Sequence, residues 1–316
     1  MTVVTLAGAS GFMGRALRRA LEAEGAEVRR IGRGGDGARW SDPGSVMAAV
    51  DGADLVLNLA GRSVNCRYNR RNRQEILRSR VDTTRLLGEA IAAAAAPPAL
   101  WVNSSTATIY RHAEDRAMTE ATGELGTGFS VEVARAWEAA FFERELEGTR
   151  RVAIRTAIVL GRGSVLPPLV RLVRFGLGGA QLDGRWFATP WRRRAGTYHE
   201  NRRTHGRQQF SWVHIDDVAG AVRFLREHPE IEGVVNLASP NPVDDATFMR
   251  TLRRVLGVPL GLPAYRWMLE LGAIAIRTET ELVLKSRWVV PERLEQAGFR
   301  FRYPDLDPAL RQILKR

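Results

Sequence analysis

The stretch "VVTLAGASGFMG", residues 3–14, constrains the fold more than any other part of the chain. An apolar run ends in glycine, glycines stand at positions 8, 11 and 14, and an amphipathic helix, "MGRALRRALEAEG", follows at once. Glycines in such a turn let the backbone pass close to another backbone or to a ligand. The following helix start presents free amide hydrogens and the positive end of its dipole, a setting suited to a pyrophosphate. A second strand, "AEVRRIGR" (26–33), completes a strand–helix–strand unit. That context, more than the glycine spacing alone, predicts a bound nucleotide.

Further apolar strands are expected in "DLVLNLAG" (54–61), "ALWVNSST" (99–106), "RRVAIRTAIVLG" (150–161) and "GVVNLASP" (233–240). Helical patterns lie between them, including the long "RNRQEILRSRVDTTRLLGEAIAAAA" and "GFSVEVARAWEAAF" (128–141). Such alternation predicts a parallel sheet covered on both faces. Beyond residue 162 the pattern breaks up, and helices return at 216–227, 244–256, 263–276 and 307–315. The fold class expected is α/β, a Rossmann-type doubly wound sheet with a smaller C-terminal substrate-binding region. Residues 1–161 would form the nucleotide core and 162–212 a substrate-side segment. Residues 213–240 would return to the core, and 241–316 would form a small helical domain.

Hydrophobic residues make up 45% of the chain, enough to predict a buried core. The single cysteine, Cys66, excludes an internal disulfide framework and a multi-cysteine metal site, and no metal is expected. No apolar run is long enough to span a membrane, and the first residues read as a strand, so a cytoplasmic protein is expected. The net charge of +12 rests almost wholly on arginine, because Lys285 and Lys315 are the only lysines. Such a skew reads as composition bias, so the global charge is not taken as a sign of nucleic acid.

The end of the second strand selects the nucleotide. An NAD site usually carries an acid there for the ribose hydroxyls. Here the strand ends "IGRGG"; Arg33 is placed to pair with a 2′-phosphate, and Asp36 comes later in a glycine-rich loop. The cofactor predicted is therefore NADP(H).

Taken together, the glycine spacing, "NLAG" (58–61), "SSTATIY" (104–110) and "VHIDDVAGAV" (213–222) resemble an extended, atypical short-chain dehydrogenase/reductase. "EILRSRVDTTRLL", "RAWEAA", "IRTAIVLGRG", "RFGLGG" and "VVPERLEQAGFRFRYPDL" resemble, more narrowly, the epimerase-like subgroup with its own small C-terminal domain. The resemblance covers nearly the whole chain. It implies that Gly8, Ser10, Gly11, Phe12 and Met13 wrap the pyrophosphate. Gly32 and Arg33 would meet the adenosine phosphate, and Leu59 and Ala60 would line the nucleotide. Glu75, Arg80 and Ile158 match cofactor-contacting positions, Ile158 near the nicotinamide.

A reductase of this kind needs an acid at the carbonyl oxygen. The wider superfamily uses a Tyr-x-x-x-Lys pair on one helix and a Ser or Thr at the neighbouring strand end. The strand-end hydroxyl matches Thr106. The alignment through Glu138 places Ser130 at the tyrosine and Ala134 at the lysine, so both groups are lost. Tyr110 is the first choice for a replacement donor. His112, Tyr68, Cys66 and His214 are further candidates, although Asp216 or Asp217 beside His214 would equally serve as a helix cap.

"GGAQLDGRWFATPWRRRAGTYHENRRTHGRQQFSW" departs from the subgroup by roughly twenty extra residues. Its arginines and aromatics suit a lid that pairs with a substrate carboxylate or phosphate. A solvated loop, a homo-oligomer contact and, last, a single-stranded nucleic-acid surface are the other readings. Two functions follow. One is an NADP(H)-dependent oxidoreductase or epimerase acting on a small polar or anionic molecule; the other is a non-catalytic NADP(H) sensor.

Overall fold

The computed structural model describes residues 1–163 and 165–315; Ser164 and Arg316, which fall in two of the expected segments, lie outside the described residues. Its main sheet is formed by β1 (Val3–Ala7), β2 (Glu27–Gly32), β3 (Ala38–Arg39), β4 (Leu55–Asn58), β5 (Leu100–Thr106) and β6 (Arg150–Thr156), joined by a later strand, Gly233–Leu237. The strands run parallel, and the order across the sheet is β3-β2-β1-β4-β5-β6 and then Gly233–Leu237. The order reverses beside β1, and ligands of such sheets bind at the strand ends there.

Alternation along the strands explains why both faces are covered. Val4, Leu6, Leu55, Leu57, Leu100, Val102, Val152 and Ile154 share one core. Their partners there are Leu17 and Leu21 of α1 (Phe12–Ala23) and several residues of the helix Ile215–Glu227. The residues between them, Val56, Trp101 and Ala153, face the opposite way. They pack on α2 (Pro43–Val50), α3 (Arg70–Ala92) and α4 (Phe129–Phe142). Asp42 caps α2 by accepting from Ser45 N, and Asn69 caps α3 by accepting from Asn72 N.

The expected strand 150–161 is two strands. The chain leaves the main sheet at Ala157, whose N–H donates to Leu237 O. Strand β7 (Ile158–Leu160) then pairs with Trp212–His214. The break turns Leu160 into a second core with α5 (Leu166–Arg174) and with helices Asp245–Leu256 and Leu306–Leu314. Periodicity cannot reveal this, because both strands are apolar. The C-terminal part is helical, yet Leu294 and Phe299 enter the main core. No described helix is long and apolar enough to cross a membrane.

Candidate cofactor and substrate site

The register aligns the strand ends that build the site: Ala7 lies beside Ile31 and Asn58, and Thr106 beside Thr156. Gly8 has φ +83°, and a Cβ there would stand 2.8 Å from the Leu59 carbonyl carbon. A Cβ at Gly14 would run into Gly8 O. Gly11 donates to Gly8 O at 3.0 Å and begins α1 with no side-chain cap and no acid in the first turn. The glycines are therefore demanded by close backbone approach, and the helix start they expose is left to a ligand. A nucleotide pyrophosphate fits this cradle.

Ser10 and Met13 lie in this loop and the first turn of α1. The Phe12 side chain is committed elsewhere: a Cβ on Gly161 or Gly163 would come within 2.7 or 3.0 Å of its ring. Phe12 therefore offers the nucleotide its backbone only. Leu59 N donates to Ala7 O at 3.0 Å, and Ala60 N donates to Asn58 Oδ1 at 3.0 Å. Buried Asn58 also donates to Asn103 Oδ1 (2.7 Å) and Thr84 Oγ1 (3.1 Å), and Thr84 accepts from Trp137 Nε1. This polar chain fixes the backbone after β4. Its sequence signal was an asparagine inside each of two apolar strands.

Gly32 ends β2 half-buried, and Arg33 follows exposed, with no carboxylate partner among the described residues. Asp36 is engaged by Arg30 at 2.8 Å, which holds its carboxyl below the usual range. The acid near this strand end is thus occupied while the arginine is free. Glu75 and Arg80 part company on α3. Glu75 pairs with Arg62 and Arg71. Arg80 turns inward, 5.0 Å over the Trp137 ring and against Gly61, with its pKa pushed down to about 10 by burial. No carboxylate pairs with Arg80 among the described residues. Ile158 is half-buried beside the second core.

Thr106 stands at the strand end, where its Oγ1 accepts from Thr108 N and starts a 3-10 turn, Ala107–Ile109. That turn overturns the expected place of Tyr110. The side chain is 1% exposed; its hydroxyl donates to Asn236 Oδ1 (2.9 Å) and accepts from Arg155 Nη1 (2.9 Å). Arg155 in turn grips Glu138 at 2.7 and 2.8 Å, and Glu138 accepts from Ser105 Oγ at 2.6 Å. Tyr110 and Glu138 therefore tie β5, α4 and the last sheet strand together, and neither is presented to the strand-end cleft. His214 is structural as well: its ring accepts from Asp216 N and meets Gln312. It caps the helix itself, whereas Asp217 accepts from the amides of Arg302 and Tyr303.

The C-terminal segment 278–287 reaches Ser130 and Thr108, two residues past Thr106. Ser130 Oγ lies 3.5 Å from Glu281 Oε2. Lys285 Nζ donates to Thr108 O at 2.8 Å, and Arg287 Nε to Thr108 Oγ1 at 3.2 Å. Burial raises the pKa of Glu281, and burial plus Arg287 pushes Lys285 down to about 8. Tyr68 donates its backbone N–H to Glu279 Oε1 at 2.8 Å, and its hydroxyl is buried beside Ser130. Burial pushes that hydroxyl well above the ordinary phenol range.

The arginine-rich insertion is docked rather than solvated. Arg192 reaches Glu270 (3.5 Å) and Glu279 (3.4 Å), and Gly196 O accepts from Phe129 N at the start of α4. Asp183 accepts from the amides of Arg202 and Thr204, and Tyr198 donates to Trp186 O. Arg193, Arg194, Arg202 and Arg203 stay in solvent. His199 is buried, and burial plus Arg266 pushes its pKa down to about 3. Among the described residues no group of His, Cys, Asp and Glu is set to hold a metal ion.

Comparison with known proteins agrees with this architecture. The epimerase family protein SDR39U1 of Bos taurus is 31% identical over 98% of this chain and 99% of its own. The Bacillus subtilis epimerase family protein YfhF is 29% identical over 98% and 97%. The crystal structure of human SDR39U1 (isoform 2) with NADPH superposes with a TM-score of 0.83 at 29% identity, covering 99% of both chains. A nucleoside-diphosphate sugar epimerase from Corynebacterium glutamicum gives 0.71 at 29% identity, covering 99% of this chain and 58% of that one. Residues 266–313 match a domain of unknown function, DUF1731. Residues 4–238 match the NAD dependent epimerase/dehydratase family, and the chain belongs to that family.

Proposed function

We propose that this protein is an NADP(H)-dependent oxidoreductase or epimerase acting on a small polar substrate. Residues 1–161 and 213–240 form its nucleotide core, and 162–212 and 241–316 its substrate side. The observation that carries the reading is the glycine cradle at the uncapped start of α1, beside a free Arg33 and an Asp36 already held by Arg30. The likeness to human SDR39U1, crystallised with NADPH, supports the choice of nucleotide. Bound NADPH supplies a hydride to a carbonyl carbon. The chain's own part is to hold the pyrophosphate on the Gly8–Met13 backbone, pair Arg33 with the 2′-phosphate, and line the nicotinamide with Leu59, Ala60 and Ile158. Arg80 offers a half-buried cation beside the loop after β4, with no carboxylate partner among the described residues. Thr106 orients the substrate oxygen.

A non-catalytic sensor is the second reading, favoured by Ser130 and Ala134 where the superfamily keeps a tyrosine and a lysine. A panel of small aldehydes, ketones and keto acids, followed through NADPH absorbance, separates the two. Substrate-dependent oxidation of NADPH is expected. Tight NADPH binding with no turnover across the panel would replace the enzyme by the sensor.

A further inference from the structure

We propose that Lys285 is the proton donor of the substrate site, supplied by the C-terminal segment in place of the pair that Ser130 and Ala134 replace. The inference rests on the oxidoreductase reading above. The first ground is chemical identity. Lys and Arg together number 47, and only Lys285 and Lys315 are lysine. Wherever this protein needs a cation to pair, cap or brace, it uses arginine. Arginine does not give up its proton near neutral pH, whereas a buried lysine does. A cation at 285 that only braced the fold would be served by arginine like the rest.

Position is the second ground. Lys285 Nζ reaches Thr108 O, two residues past the strand-end Thr106. One turn earlier, Glu281 reaches Ser130 at the start of α4. The segment therefore runs from Ser130, at the place of the superfamily's tyrosine, to Thr108, two residues past the strand-end hydroxyl. Lys285 is 7% exposed and makes one hydrogen bond, although an ammonium has three donors. No carboxylate forms an ion pair with it among the described residues.

The surroundings suit proton release. Arg287 and burial disfavour the ammonium, Glu281 opposes them, and His112 faces Lys285 from the loop after the 3-10 turn. The resulting value of about 8 lies near working pH, where a general acid is most effective. Tyr68, the buried hydroxyl nearest Ser130, is pushed in the wrong direction for an acid. The step balances. The Nζ–H bond breaks and an O–H bond forms on the substrate carbonyl, whose carbon takes the hydride. The neutral amine then regains a proton from water.

With two lysines, lysine labelled with 13C at Cε gives two side-chain signals, and Lys285→Arg assigns them. The full-length protein is titrated alone and with NADP+. Lys285 is expected to titrate near 8 and to shift when NADP+ binds, with Lys315 unmoved by the nucleotide. On any carbonyl the panel turns over, Lys285→Arg and Lys285→Met should each lose on the order of a hundredfold in kcat. Their NADPH affinity should be unchanged. A Lys285 signal titrating near the ordinary lysine value, about 10.4, and blind to NADP+ would overturn the proposal while leaving NADPH binding intact. Failure of the wild type to bind NADPH would instead remove the oxidoreductase reading itself. Full turnover in Lys285→Met would reduce Lys285 to a brace between Thr108 and the C-terminal segment, and the proposal would fall.

Discussion

The two ends of the cleft are built by opposite means. At the nucleotide end the pyrophosphate loop is shaped by backbone within one turn: Gly8, Gly11 and Gly14 leave no room for side chains, and the helix start follows at once. At the proposed substrate end the groups around Ser130 and Thr108 arrive from a distance. Lys285 meets Thr108 across 177 positions, and Arg192 meets Glu279 across 87. A site held by local backbone geometry resists substitution and is shared across a family. A site assembled from remote side chains can be refitted without disturbing the fold. Under the proposed function, both the inserted residues and the missing tyrosine and lysine fall at that second end.

The sharpest way to break this contrast is Gly14→Val. Its side chain would collide with Gly8 O, and a loss of about 4 kcal/mol in stability, with NADPH binding abolished, is expected by urea unfolding and nucleotide titration. Arg155→Met should follow, since it leaves Glu138 buried without its partner; about 3 kcal/mol is the expected cost. If the nucleotide end is independent, the folded fraction of that variant will bind NADPH normally. Arg192→Met should cost about 2 kcal/mol, less because part of the side chain meets solvent, and should open the insertion to limited proteolysis.

An effect that depends on pH is expected at Asp245, which accepts from Gln181 N where the insertion begins. Burial raises its pKa from 3.8 to about 7, so the fold prefers the protonated acid. Its contribution is complete below pH 3.8 and is lost as pH rises through 7. Asp245→Asn should flatten the pH dependence of the melting temperature in that window. An unchanged slope would place the charge of Asp245 outside the energetics of the insertion.

The same contrast decides what could be read from sequence. The glycine loop, most strands of the main sheet and the cover on both its faces are local patterns, and these were legible. Tyr110 was not, because the 3-10 turn at Ala107–Ile109 swings it toward Asn236, 126 positions away. The break at Ala157 was hidden because strands in two different sheets read as one apolar run. His214 was legible as part of a helix cap, but the capping atom is its own ring, because Asp217 is taken by the amides of Arg302 and Tyr303. The rarity of lysine was visible from the start. The place of Lys285 beside Thr108 was not, because 177 positions separate the two residues.

The account depends most on the nucleotide, and the affinity of NADPH against NADH, for the wild type and for Arg33→Ala, tests it directly. The wild type should bind NADPH at least about tenfold more tightly, a difference of ~1.4 kcal/mol, and Arg33→Ala should erase the preference without weakening NADH. Equal affinity for the two nucleotides in the wild type, or a preference that survives in Arg33→Ala, would contradict it.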